Sequence, residues 1–149
     1  MSLRDVVNDI QKGLAVEMAD LGEDIVRDMK ARLQAGNHID TGALYESIRQ
    51  NTVSGTDSVD TYIYADAESP EGTKYAEFIE LGSGAAHGRA GGRVGTWRYK
   101  DRYGRWHTTD GMDADPFIEP SVDDNIGKLG DKVKQVVYDV AKYRGMTKI

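Results

Sequence analysis

The sequence predicts an α+β fold with a long N-terminal helix, a small antiparallel β-sheet, a protruding β-hairpin and a C-terminal helix. Apolar residues recur at steps of three and four from Leu3 to Leu33 and again from Val122 to Val140, which is the period of an amphipathic helix. Between these stripes, residues 59–66 alternate apolar and polar side chains, as a half-buried strand does. Strands and helices do not follow one another in βαβ order, so an antiparallel sheet is expected.

The first helix is predicted over residues 1–36 and is unusually long for a chain of 149 residues. From Leu3 to Leu33 it would span roughly 46 Å, whereas a compact domain of this size has a radius of gyration of about 15 Å. Part of its apolar stripe is therefore expected to pack on a neighbouring copy. Gly13 and Gly22 mark either a kink or a place where another backbone comes close.

The other elements are placed by caps, turn residues and periodicity within one domain, residues 1–149. Glycine and proline residues separate them, and the aromatic runs on either side of Asp101–Gly104 indicate a hairpin. The predictions are a short helix over 40–50, strands over 51–68, a short helix over 73–82, a loop and hairpin over 83–110 with the hairpin itself at 95–109, and a C-terminal helix over 120–144.

Composition narrows the function classes. Cysteine is absent, so disulfides, a thiol nucleophile and a cysteine-bound zinc are excluded. The N-terminus lacks the basic start and apolar core of a signal peptide, and no apolar run reaches the roughly 18 residues of a membrane span. We therefore expect a soluble protein that folds in a reducing cytoplasm and does not contact a membrane.

Charge is divided unevenly along the chain. Residues 82–109 contain six basic residues and one acidic residue, a net charge of +5. The whole chain has a net charge of −6, so the remaining residues together carry −11. This segment is chemically distinct, although a solvated arginine-rich loop would have the same composition.

The stretch "HIDTGALYESI" contains Asp40-Thr41-Gly42-Ala43, the letters around the catalytic aspartate of retroviral-type aspartic proteases. Such an enzyme needs two aspartates facing each other on loops of a β-rich fold. Here the tetrapeptide lies between two predicted helices, so we interpret Asp40, Thr41 and Gly42 as a turn and N-terminal helix cap. The protease is kept as a distant alternative.

No catalytic, metal or cofactor site is predicted. The histidines, His38, His87 and His107, lack the i, i+4 spacing of a helical zinc motif, and each is expected to be solvated or ordinarily hydrogen-bonded. The glycine-rich run "GRAGGRVG" lacks the Gly-Lys-Ser/Thr ending of a phosphate-binding loop.

The hairpin interleaves basic and aromatic side chains and is the predicted interface with another subunit or partner. Trp, Tyr and Arg are enriched at protein-binding hot spots, and an acidic chain disfavours general nucleic-acid binding. A nucleic-acid-binding module that uses this basic aromatic hairpin is the alternative. The predicted interface residues are Trp97, Arg98, Tyr99, Arg102, Tyr103, Arg105 and Trp106.

Three segments together resemble the gene-ten-product-like family of long-tailed (lambdoid, HK-type) phages. They are "IDTGALYESI", "KYAEFIELGSG" and "GMDADPFIEPSVDD", in that order. The family pattern consists of Asp-Thr-Gly-x-Leu-x-x-Ser-Ile, Tyr-Ala-x-x-x-Glu-x-Gly and Pro-Phe-x-x-Pro segments between a long N-terminal helix and a C-terminal helix. The matching residues are Asp40, Thr41, Gly42, Leu44, Ser47 and Ile48, then Tyr75, Ala76, Glu80 and Gly82, then Pro116, Phe117 and Pro120.

The resemblance implies a minor tail or head-tail joining protein without enzymatic activity. Such a tail completion protein would assemble in the host cytoplasm as a homo-oligomeric ring in the neck of the virion, between the portal complex and the tail tube. Its partners would be copies of itself, neck or connector proteins and tail tube or tail terminator proteins, with genome DNA passing through the lumen without sequence-specific binding. Many members have a shorter segment between the second and third motifs, so the resemblance implies no role for the hairpin.

Overall fold

The computed structural model describes residues 2–39, 42–69, 72–101 and 103–146. It confirms the α+β class, with a long N-terminal helix, two small antiparallel sheets and C-terminal helices. The helices are α1 (Leu3–Ala35), α2 (Ala43–Ser47), α3 (Tyr75–Leu81), α4 (Glu119–Ile126) and α5 (Leu129–Tyr143). The strands are β1 (Ile48–Ser54) and β2 (Val59–Ala65), which form one sheet, and β3 (Trp97–Lys100) and β4 (Trp106–Thr109), which form the other.

The chain divides into two compact units, each built from segments that are distant in sequence. The first unit comprises Met1–Met29, Ile48–Tyr64 and Ser121–Ile149, and the second comprises Lys30–Ser47 and Ala65–Pro120. The prediction that all 149 residues form one domain stays a prediction.

In the first unit, the two glycines of α1 mark close approaches by neighbouring elements, and α1 continues through both. A Cβ atom on Gly13 would lie 2.6 Å from Val136 Cγ1 of α5. A Cβ atom on Gly22 would lie 2.9 Å from Thr61 Cγ2 of β2. The Thr61 hydroxyl also donates to the Met18 carbonyl at 3.3 Å. The atoms that come close are therefore side-chain atoms, and glycine provides the space for them on α1.

Ion pairs hold α5 antiparallel to α1 in the first unit. Lys132 Nζ donates to Glu17 Oε2 at 2.6 Å, and Arg144 Nε donates to Asp9 Oδ2 at 2.8 Å. The hydrogen bond from Lys132 to Glu17 raises the pKa of Lys132. Because residue numbers fall on α1 as they rise on α5, the pairs specify one register as well as one direction.

The apolar side chains of α1 are buried mainly in its C-terminal part. Leu21 and Ile25 are buried and Met29 is fully buried, whereas near the N-terminus Val6 is buried but Leu3 is 79% exposed and Val7 is 43% exposed. The N-terminal turns of α1 therefore include apolar side chains that the described residues of the first unit leave exposed. The predicted contact with a neighbouring copy stays a prediction.

The C-terminal helix differs from the prediction because it is interrupted. Over residues 120–144 the structure has α4, then a break at Gly127 and Lys128, and then α5. Asn125 explains the break, since its buried side chain donates to the Ser121 carbonyl at 2.8 Å and to Asp28 Oδ2 at 2.7 Å. This polar face of α4 replaces the predicted apolar one, and Ile126 is 48% exposed.

The second predicted helix is shorter than expected. It was predicted over residues 40–50 but ends at Ser47, and β1 begins at the next residue, Ile48. Ser47 Oγ donates to the Leu44 carbonyl at 2.8 Å, a local bond that competes with continued helix. Ile48 is β-branched and suits the strand that follows it.

In the second unit, α3 and the segment before α4 supply most of the core. Leu33, Leu44, Ala76, Ile79 and Phe117 are its buried apolar residues. The helix predicted over residues 73–82 is α3, and it ends at Gly82, which has φ of 72°. A Cβ atom there would lie 2.8 Å from the Met112 carbonyl oxygen, so both the backbone conformation and the space require glycine.

Substituting Gly13 tests the packing of α5 on α1. Gly13→Ala gains helix propensity but places a methyl group against the buried Val136, and we expect it to lower the free energy of unfolding by about 1–2 kcal/mol. Gly130→Ala is the matched control, because nothing lies within 4 Å of that position in α5. It should raise the free energy by up to about 1 kcal/mol in denaturant titrations. Equal stabilisation of both variants would contradict the close approach.

Candidate interaction surface

In the second unit, the side chain of Glu80 connects two of the segments that carry the resemblance, Tyr-Ala-x-x-x-Glu-x-Gly and Pro-Phe-x-x-Pro. Glu80 Oε2 accepts hydrogen bonds from the backbone N–H groups of Phe117 and Ile118, both at 2.8 Å, and its Oε1 accepts from the N–H of Glu119 at 2.9 Å. These donors are at the start of α4, where N–H groups have no partner within the helix. A carboxylate from α3 therefore caps the helix that follows the Pro-Phe segment.

The first motif lies partly outside the described residues. The predicted cap residues Asp40 and Thr41 are not described, so their capping role stays a prediction. Gly42 has φ of 80° and its carbonyl accepts from the Glu46 N–H at 2.8 Å, which places Gly42 in the turn before α2. Leu44 is buried in the second unit. The described residues of this motif shape a turn and fill a core.

Each of the three histidines contacts at least one aspartate. His38 Nε2 lies 2.8 Å from Asp115 Oδ2, and His107 Nε2 lies 2.8 Å from Asp101 Oδ2. His87 is held on both sides, with Nδ1 2.7 Å from Asp113 Oδ1 and Nε2 3.0 Å from Asp110 Oδ1. The hydrogen bonds to Asp110 and then Asp113 raise the pKa of His87, and the bond to His87 lowers the pKa of Asp110. His87 thus fastens the glycine-rich loop to the segment after β4.

The hairpin predicted over residues 95–109 forms, and its register separates the interface residues onto two faces. Trp97 pairs with Thr109 and Tyr99 with His107, so these side chains share one face. Arg98 pairs with Thr108 and Lys100 with Trp106 on the opposite face. The Tyr99 and His107 rings stack with centroids 5.2 Å apart. The predicted residues therefore do not form one continuous patch.

The outer face of the hairpin, defined as Arg98, Lys100, Trp106 and Thr108, combines two cations with one indole ring. The Arg98 guanidinium lies 4.9 Å from the Trp106 ring centroid, and Lys100 Nζ lies 5.5 Å from it. Trp106 remains 58% exposed. No described carboxylate pairs with Arg98 or Lys100, so their charges are balanced only by the ring and by water.

The inner face of the hairpin, defined as Trp97, Tyr99, His107 and Thr109, borders an aromatic cleft. Trp97, Tyr99 and Thr109 line it from the hairpin side, and Tyr75 and Phe78 line it from α3. The cleft has a volume of about 580 Å³. Its walls come from within the second unit and are mostly apolar and aromatic, with the hydroxyl groups of Thr73, Ser83 and Thr109 among them.

The hairpin turn is organised by Asp101. Its carboxylate accepts from the backbone N–H groups of Tyr103 and Arg105 and from Arg105 Nε, each at 2.9 Å. The hydrogen bond with His107, followed by those from Arg105 and Tyr103, lowers the pKa of Asp101. Arg105 is thus paired within the turn, and Tyr103 is 68% exposed at its tip. Arg102 lies outside the described residues, and its predicted interface role stays a prediction.

The contacts of several of these residues were not predicted from the sequence. Glu80 is one of the residues that match the family pattern, but it accepts from backbone groups that are distant in sequence, and no spacing rule predicts such a contact. Tyr75, which also matches the pattern, and Phe78 lie on a different element from the hairpin, so their place in the cleft was not predicted. The two faces of the hairpin, in contrast, were available from strand periodicity, since Trp97 and Tyr99 alternate with Arg98 and Lys100.

Among the described residues, no group of three or more His, Asp or Glu side chains is arranged to hold a metal ion. Each helix in the described part of the chain is too short or too polar to cross a membrane. Comparison of the chain with family models, with curated proteins and with solved structures finds no match.

Glu80→Gln tests the cap on α4. The amide replaces one accepting oxygen with a donor that faces backbone N–H groups, so we expect the free energy of unfolding to fall by about 2–4 kcal/mol. Glu77→Gln is the control on the same helix, because the Glu77 side chain is 54% exposed and pairs with one side chain, Arg89, so its loss should cost less than the loss of the cap. Similar losses in denaturant titrations of both variants would contradict the cap.

The pairing of His87 predicts a pH dependence of the loop. Since the folded pKa of His87 is raised, its stabilising contribution is complete below the unfolded pKa and disappears as pH rises through the folded pKa. The lowered pKa of Asp110 makes its contribution disappear as pH falls through that value.

An NMR titration of the His87 ring should give a pKa above the ordinary histidine value, and Asp110→Asn should bring it down. Amide exchange at residues 84–92 should quicken as His87 deprotonates. An unchanged His87 pKa in Asp110→Asn would show that this contact does not form in solution.

Proposed function

We propose that this chain is a structural virion protein of the phage neck, a head-tail joining or tail completion component that assembles as a homo-oligomeric ring and has no enzymatic activity. The observation that carries the proposal is the contact between the second and third motifs: the Glu80 carboxylate accepts the N–H groups of Phe117, Ile118 and Glu119. Residues of two segments that carry the resemblance therefore contact each other in the fold.

The roles of the motif residues support a structural rather than a catalytic function. Ala76 and Phe117 are buried, Gly82 allows a close backbone contact, and Glu80 caps a helix. Each of these roles of the described motif residues maintains the fold. Asp40→Asn is therefore expected to affect stability alone, and a peptidase activity that Asp40→Asn abolishes would overturn the proposal in favour of the protease.

Two exposed surfaces support assembly with other copies or with neck partners. The N-terminal part of α1 leaves Leu3 and Val7 exposed. The outer face of the hairpin leaves Trp106 exposed between two cations. Apolar and Trp/Arg surfaces of this kind are typical of protein interfaces.

A nucleic-acid-binding module is the second candidate, and the exposed Trp106 between Arg98 and Lys100 favours it. Such a site would bind single-stranded DNA by stacking and charge, with affinity that falls steeply with salt. Tight, salt-dependent DNA binding lost in Trp106→Ala would favour this function over the neck protein.

Deletion of the gene from the phage or prophage that encodes it tests the neck function. We expect DNA-filled heads and separate tails to accumulate, because the joint between them is missing. Mass spectrometry of purified particles should find the chain in joined virions, and electron micrographs should place a tag on the chain at the neck. Normal joined particles from the deletion strain would overturn the proposal.

A further inference from the structure

Two segments of this chain have opposite charge and few residues that neutralise it locally. Residues 50–73 contain five acidic residues and no lysine or arginine. Residues 89–109 contain six basic residues and one acidic residue, Asp101, which is already bonded to Arg105 and His107. The first segment covers most of the β1–β2 hairpin, which carries Arg49, Asp57 and Asp60 and so has a net charge of −1, and the second includes the β3–β4 hairpin. The chain therefore presents one weakly acidic hairpin, here called the acidic hairpin, with both of its carboxylates in or beside the turn, and one basic hairpin.

The acidic hairpin is β1–β2, and its turn is held in place. The Gly55 N–H donates to the Ser58 carbonyl at 2.8 Å, and Gln11 Nε2 of α1 donates to the Thr56 carbonyl at 2.8 Å. Asp57 and Asp60 are exposed in and beside this turn, and no described cation pairs with either. Asp60 Oδ2 accepts from Ser58 Oγ at 2.8 Å, and a carboxylate can accept further hydrogen bonds, so both side chains can still pair with a cationic partner.

The outward side of the same hairpin is partly apolar. Thr52 and Thr61 contact each other through their hydroxyls at 2.7 Å on the side that faces α1. Val53 and Tyr62 point the other way, because side chains alternate along a strand, and they are 46% and 51% exposed. Arg49 is on this side as well, at the far end of β1 from the turn, with its guanidinium 4.7 Å from the Tyr64 ring centroid. The turn end of the acidic hairpin thus offers two carboxylates near an aliphatic and an aromatic side chain.

The outer face of the basic hairpin has the complementary groups. Arg98 and Lys100 are cations without a described carboxylate partner, and the exposed Trp106 ring lies between them. Carboxylates that reach these cations would form charge-assisted hydrogen bonds, and an apolar neighbour would cover the indole ring. Both parts of this match are present on the acidic hairpin.

We propose that the β1–β2 hairpin of one copy docks on the Arg98, Lys100 and Trp106 face of a second copy, with Asp57 and Asp60 pairing with the two cations and Tyr62 and Val53 covering Trp106. This inference rests on the proposed homo-oligomeric assembly and names its contact. The two surfaces differ, so the interface is heterologous: each copy uses its acidic hairpin on one neighbour and its basic hairpin on the other. Repetition of such a contact produces a closed ring or an open chain.

Charge exchange between the hairpins tests the contact, with the mass of the assembly measured by light scattering or sedimentation. Arg98→Glu with Lys100→Glu, and separately Asp57→Lys with Asp60→Lys, should each weaken self-association by about tenfold or more, because like charges then face each other. An equimolar mixture of the two double variants should restore assembly, since every contact in an alternating oligomer again joins opposite charges.

The matched control is Lys12→Glu with Lys134→Glu, which changes the net charge as much as the first variant but at exposed sites on α1 and α5. It should assemble like the wild type. All variants alter exposed side chains, so unchanged circular dichroism and Tm are expected. A wild-type protein that stays monomeric, a double variant that assembles normally, or a mixture that fails to assemble would overturn the docking.

The outcomes separate this contact from the neck function. If the protein assembles through the two hairpins but is missing from particles, the docking proposal stands and the proposed function is wrong. If the protein is found at the neck but its hairpin variants assemble and incorporate normally, the proposed function stands and the docking proposal is wrong.

Discussion

The carboxylate of Glu80 is the acceptor on which the second unit depends most. Three consecutive backbone N–H groups, those of residues 117–119, donate to it. Backbone groups at the start of a helix need partners, and a charged acceptor binds them more strongly than a neutral one does. The contact also brings the fully buried Phe117 into the core beside α3, so that one side chain on α3 decides both where α4 begins and how the core closes.

Charged side chains have different partners in different parts of the chain. In the first unit, Lys132 and Arg144 each meet an acid on α1, and the helices gain a register. In the second unit, His87 and Asp101 form local contacts that tie loops and turns. The outer face of the hairpin is different, because Arg98 and Lys100 contact the Trp106 ring and no carboxylate in the described part of the chain pairs with them. Cations without a carboxylate favour a partner that brings one.

Periodicity and turn chemistry predicted much of the fold. The stripe of α1, the alternation of β2 and the aromatic runs of the β3–β4 hairpin all lie where the sequence placed them. The boundaries at Ser47–Ile48 and Gly127–Lys128 were missed, for two different reasons. At the first, a local serine bond ends the helix. At the second, the buried Asn125 binds Asp28, which is distant in sequence, and a period of apolar residues contains no information about such a polar contact.

The sequence by itself determined most element types, the α+β class and the concentration of positive charge in residues 82–109, because these follow from local period, turn residues and composition. Tertiary structure alone decided what the glycines of α1 do, which side chain caps α4 and which element faces the inner side of the hairpin. Each of these depends on atoms from segments far apart in the chain. Gly13 could mark a kink or a contact until Val136 was placed beside it, and Glu80 could be a surface acid until Phe117 was placed within its reach.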